Sequence, residues 1–132
     1  MPQGLLNGVR VLEIADEKAA HCGKLLAAQG ADVIKIEPPW GDPSRHYGPF
    51  VQDRPDPELS LHFWHYNVNK RGVTLDLSTP QGGALFRQLV AKADIVVDAT
   101  PIDFLRQHNL HYTALKQLNA RRARSHFPGR HM

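Results

Sequence analysis

The sequence predicts an α/β fold: a mostly parallel sheet flanked by helices. A strand, a helix and a second strand fit within about 30 residues near the start, two more strands alternate with helices after residue 70, and no internal repeat competes.

Residues 8–15, GVRVLEIA, alternate apolar and polar side chains and read as the first strand. A helix over 18–29 follows, with Ala19, Cys22, Leu25 and Leu26 at helical spacing, Asp16 as its N-cap and Gly30 just past its end. Val33, Ile34 and Ile36 then make a buried strand between Gly30 and the pair Pro38-Pro39. A strand-helix-strand unit crosses over right-handedly in nearly all cases, which makes its two strands parallel.

From Pro38 to Pro57 the chain carries six prolines and two glycines without periodicity, a long surface excursion of the kind that is functional or disordered. Residues 59–66, LSLHFWHY, predict a short helix presenting Leu61, Phe63 and Trp64 to a core. A third strand is predicted over 73–77. Thr79 as N-cap and Pro80 at the first position predict a helix to about residue 93 that buries Leu85, Phe86, Leu89 and Val90. Residues 94–99, DIVVDA, read as the fourth strand, and 104–105 and 110–118 as short helical pieces. The last twelve residues, RRARSHFPGRHM, break the pattern where another strand is due. One back-translation read in a shifted frame yields Gly-Leu-Val-Val-Ile-Ser-Pro-Val-Gly, so an altered gene end is the expectation for this basic tail, residues 121–132, behind a domain of residues 1–120.

The totals narrow the function. At 132 residues, 42% hydrophobic and 22% charged, the chain suits one globular domain. The net charge of +3 is outweighed by Arg121, Arg122, Arg124 and Arg130 in the tail, so a nucleic-acid partner is not expected. The single cysteine, Cys22, reads as a small apolar helix residue and fits a reducing, cytoplasmic setting. No apolar run approaches the roughly 20 residues of a membrane span, and the scattered histidines show no metal-ligand spacing.

In open α/β sheets ligands bind beyond the carboxyl ends of the strands, so the loop after Glu37, Trp40 to Arg45, is the first candidate site. Arg45 has the fork to grip a phosphate bidentately, with a surface salt bridge as the competing account. Asn69-Lys70-Arg71 suits a polyphosphate or a subunit interface, or is a solvated turn. Asp98, at the tip of the fourth strand, is a catalytic candidate or a loop anchor, and Glu37 and Asp98 are expected to open onto one crevice. The first strand-helix turn, residues 15–20, lacks the glycines a dinucleotide needs, which disfavours NAD or FAD.

Taken together, GVRVLEIA, GADVIKIE with GDPSR, NKRGVTLDL, ADIVVDA and the later LHYTALKQLNAR resemble, over residues 5–121, the N-terminal third of the class III CoA-transferases, the carnitine dehydratase, bile-acid-inducible and formyl-CoA transferase group. The resemblance implies a Rossmann-like domain that binds coenzyme A as acyl-CoA, carboxylic acid co-substrates, no metal, and an interlocked homodimer in a chain about three times this long. It implies coenzyme contacts at Glu17 and Lys18, at Pro38, at Leu75, Asp76, Leu77 and Ser78, and at Ala99 and Thr100. Ser78 stands where a lysine is expected and Gln107 where an arginine is expected, with Lys18, Arg45 and Arg106 as the cations able to compensate. The nucleophilic aspartate of the group falls beyond the last family-like residue, so these residues are expected to be inactive alone. The alternative is a non-catalytic coenzyme-binding or subunit-pairing module, or part of a related racemase.

Overall fold

A computed structural model describes residues 4–14, 16–101, 103–116 and 123–126, the last four through their backbone alone. Strand β1 (Arg10–Ile14) leads through helix α1 (Ala20–Ala28) to β2 (Asp32–Glu37). After a long loop come α2 (Leu61–Tyr66), β3 (Arg71–Thr74), α3 (Pro80–Ala91) and β4 (Ile95–Asp98). Two short helices, α4 (Phe104–Gln107) and α5 (Tyr112–Leu115), precede β5 (Ala123–His126). All pairings are parallel and the order is β3-β2-β1-β4-β5, the Rossmann arrangement.

Parallel strands are covered on both faces, and the period of two divides their side chains between two cores. Leu12, Ile14, Ile34, Ile36 and Val96 pack with Phe86 and Val90 of α3 and with Leu105, Leu110 and Leu115 from the later helices. Val11, Val33 and Val97 face the other way, onto Ala19 and Ala27 beside α1.

Several elements differ from the sequence expectation for identifiable reasons. Helix α1 starts at Ala20 with no side-chain cap, because the Asp16 carboxylate is occupied by the backbone N–H and the ammonium of Lys18 while its carbonyl accepts from Ala20 N. Gly30 does sit past the helix end with φ of 99°. Strand β3 lies at Arg71–Thr74 rather than 73–77. Its partner β2 ends at Glu37, beyond which Pro38 offers no N–H; Leu75 N takes the last bond, to Glu37 O, and Asp76 then turns the chain. In α3 the predicted cap is present, Thr79 Oγ1 accepting from Gly82 N at 3.0 Å, but Leu85 is half exposed because the buried row runs Gly82, Phe86, Val90. Leu61 and Trp64 of α2 also face outward. The tail that loses its pattern in sequence supplies β5 against β4, although the other tail residues, with Ala15 and residues 117–118, lie outside those described.

Candidate functional site

Where the strand order reverses between β1 and β4, the carboxyl ends of the strands open onto a cavity of about 180 Å³. Ile14 and Ile36 form its floor at the ends of β1 and β2. Pro38 and Trp40 come from the loop after β2, Leu75 to Ser78 from the loop after β3, and Thr100, Pro101 and Phe104 from the loop after β4. Among the described residues the lining is apolar apart from Asp76, Ser78 and Thr100, and contains no cation. Both hydroxyls are used in their own turns. Ser78 N and Oγ donate to Asp76 Oδ1, and Thr100 N and Oγ1 donate to Asp98 Oδ1 at 2.9 and 2.6 Å. These Asx turns bend the chain within three residues of each strand end.

Across Pro38 and Trp40 lies a second, polar groove of about 260 Å³, lined by Glu37, Gly41, Arg45, Glu58 and Thr74 among others. Arg45 is closed onto this protein rather than open to a phosphate. Its Nε and Nη2 donate to the two Glu37 oxygens, each at 2.7 Å, Nη1 donates to Pro57 O, and the guanidinium lies 3.9 Å from the centre of the Phe63 ring. Burial pushes the Glu37 carboxyl up, but the Arg45 guanidinium, the Asp42 N–H and Lys35 outweigh it, and the net position is below the usual glutamate range. A carboxylate held low in the folded state contributes stability above its unfolded pKa of about 4.3, and that contribution is lost as pH falls through the folded value. Glu37→Gln should therefore be less stable at neutral pH and lose less on acidification than the unsubstituted chain; parallel acid-unfolding curves would refute this.

Behind the loop runs a buried charge ladder that the sequence reading did not foresee. Glu13 of β1 and Lys35 of β2 are register partners, fully or almost fully buried, with Lys35 Nζ 3.1 Å from Glu13 Oε2. Lys35 also pairs with Asp42 Oδ2 at 2.8 Å, and Asp42 Oδ1 accepts from Ser44 N and Oγ. On the other side Lys70 Nζ is 2.7 Å from Glu13 Oε1 and donates to Asn67 Oδ1 and Ala20 O. Gly23 gives this carboxylate room, since a Cβ there would lie 1.8 Å from Glu13 Oε1. Burial lowers the Lys70 pKa despite Glu13; Lys35 is also pushed down by burial, but its two carboxylates more than restore it. The only sequence hint was a lysine inside the apolar run of β2 and a glutamate at the matching place in β1.

The other candidates separate. Pro38, Leu75, Asp76, Leu77, Ser78 and Thr100 come together around the cavity. Ala99 is buried behind it in the α1-side core. Glu17 accepts from the Tyr47 hydroxyl at 3.2 Å, Lys18 pairs with Asp16, and the exposed Arg106 lies 3.9 Å from Asp103, all away from the cavity lining. Lys70 is committed to Glu13, and Arg71 grips Asp32 at the amino end of the sheet, so the two neighbouring cations are held by different carboxylates. Glu37 and Asp98 do not share a crevice: Glu37 faces the polar groove, and Asp98 is 1% exposed. Asp98 anchors its loop through Thr100. Among the described residues no group of three or more His, Cys, Asp or Glu is placed to hold a metal, and no helix is long and apolar enough to cross a membrane.

Residues 6–121 match CoA-transferase family III. Among curated relatives, the succinate–glutarate CoA-transferase of Agrobacterium fabrum is 43% identical over 118 residues, covering 86% of this chain and 30% of the relative. The BbsE subunit of succinyl-CoA:(R)-benzylsuccinate CoA-transferase from Thauera aromatica is 38% identical, covering 85% and 27%. Among solved structures, a CAIB/BAIF family protein from Brucella suis superposes with a TM-score of 0.85 at 33% identity, over 95% of this chain and 33% of that one. The chain thus spans about a third of the length of the relatives it matches.

Proposed function

The chain belongs to CoA-transferase family III, and from that membership we propose that its carboxyl-end crevice receives the adenine end of coenzyme A in a protein that moves CoA between carboxylic acids. The observation that carries this reading is the convergence of six resemblance-derived positions, Pro38, Leu75, Asp76, Leu77, Ser78 and Thr100, on one apolar cavity. Its size and lining suit a flat, weakly charged ring rather than phosphates, because it is smaller than the roughly 300–1,000 Å³ of pockets that enclose whole ligands and has no cation among the described residues of its wall. Phosphate contacts therefore come from outside this lining, with Lys18 and Arg106 the exposed cations proposed for them. Carboxylate nucleophiles divide acyl transfer into two easier steps. The resemblance puts that carboxylate beyond residue 121, so transfer is assigned to the family fold as a whole, with a second copy or the remaining portion as partner.

Calorimetric titration of the 132-residue chain with CoA tests the binding role. Micromolar affinity is expected, and absence of heat at millimolar CoA would remove it. A transfer assay with succinyl-CoA and a dicarboxylate is expected to show no turnover by these residues alone, and sustained turnover would overturn that part.

A further inference from the structure

We propose that Trp40 is a ligand-positioning residue of the crevice, its indole being the surface on which the flat aromatic ring of the bound molecule stacks; this rests on the coenzyme reading above. The side chain is 72% exposed, yet it stands at the junction of the apolar cavity and the polar groove and lines both. A large aromatic left in water at the rim of an apolar cavity has its contact area available to a ligand and not to the core.

The turn beneath it is anchored from both sides. Pro38 and Pro39 restrict φ on the way in. Gly41 N donates to Pro38 O at 2.9 Å, Asp42 N donates to Glu37 Oε2 at 2.9 Å, and Arg45 holds the same carboxylate. Asp42 is tied in turn to the buried Lys35. The backbone that carries the indole is therefore set before any ligand arrives, which removes an ordering cost from binding. A neutral π-face above a wall without cations favours a nucleobase over a phosphate. On the groove side Glu37 and Arg45 cancel each other's charge, so nothing there competes for an anion.

Two measurements test this. The chain has two tryptophans, so Trp64→Phe leaves Trp40 as the sole indole. CoA is expected to quench its emission, while pantetheine, which lacks the base, leaves it unchanged; equal quenching by pantetheine would overturn ring stacking. By calorimetry on chains that retain Trp64, Trp40→Ala should weaken CoA binding about tenfold or more, the scale of base-on-aromatic stacking, and Trp40→Phe should restore it to within about threefold, as a stacking ring predicts. If Trp40→Ala binds CoA as tightly as the unsubstituted chain, the role of Trp40 falls and the coenzyme reading stands. If the unsubstituted chain itself binds no CoA, both fall.

Discussion

Glu13→Gln is expected to lower the unfolding free energy by about 3–5 kcal/mol, the usual loss when one partner is removed from a buried ion pair. The carboxylate is completely buried and sits between two ammonium groups, Lys35 at 3.1 Å and Lys70 at 2.7 Å. Removing its charge leaves Lys35 still paired with Asp42, and leaves Lys70 beside the neutral oxygens of Asn67 and Ala20. Domains of this kind have total stabilities of about 5–15 kcal/mol, so the substitution takes a large share. The pH dependence gives a second signature. Lys70 is already pushed down by burial, and without Glu13 nothing of comparable strength raises it. A lysine that loses its proton more readily folded than unfolded makes stability rise with pH. The defect should therefore shrink as pH climbs from the depressed folded value towards the ordinary lysine pKa of about 10.4. Urea unfolding at several pH values reads both effects, and a loss below about 1 kcal/mol would mean that the ladder behaves like a solvated surface pair.

Gly82→Ala should destabilise by about 1–3 kcal/mol, although alanine for glycine inside a helix is ordinarily worth up to about 1 kcal/mol in the other direction. The added Cβ would stand 1.8 Å from the Asp76 carbonyl oxygen and 2.6 Å from its carbon. Both are backbone atoms that cannot rotate away, so either the first turn of α3 or the loop after β3 must move. That loop lines the crevice through Leu75 to Ser78, and CoA affinity should fall with stability. The adjacent glycine supplies the control. A Cβ on Gly83 meets only Arg87 Nη1 at 3.7 Å and Leu110 Cδ2 at 3.9 Å, ordinary contacts, so Gly83→Ala should be neutral or stabilising. Equal melting temperatures for the two variants would refute the steric account.

The fold was largely legible because its signals are local. The apolar run of β2 closed by Gly30 and Pro38, and the Thr79-Pro80 helix start, need no tertiary information. The end of β3 was misplaced because it is decided by its neighbour: β2 runs out of N–H donors at Pro38, and Val73 to Leu77 carry no sign of that. The crevice positions came from the resemblance, not from spacing. Sequence alone leaves Arg45 and Lys70 open between a ligand and a partner within the chain for a common reason. A cation in a loop looks available to a ligand until the carboxylate that claims it, Glu37 or Glu13, is brought in from a strand. Glu13 and Lys35 were hidden because their partnership is a matter of register between strands.

Three bends on the carboxyl side, at Asp42-Pro43-Ser44, Asp76-Leu77-Ser78 and Asp98-Ala99-Thr100, are each tied by an aspartate to the residue two places on. A bend closed inside three residues is set by its own aspartate as well as by what packs against it. The middle residue is then left out of the knot, and Leu77 is the one such residue that faces the cavity. Because Leu77 also packs in the core with Phe86 and Leu105, exchange at that single place would re-cut the hollow and the interior together, which couples what the site accepts to the firmness of the scaffold beneath it.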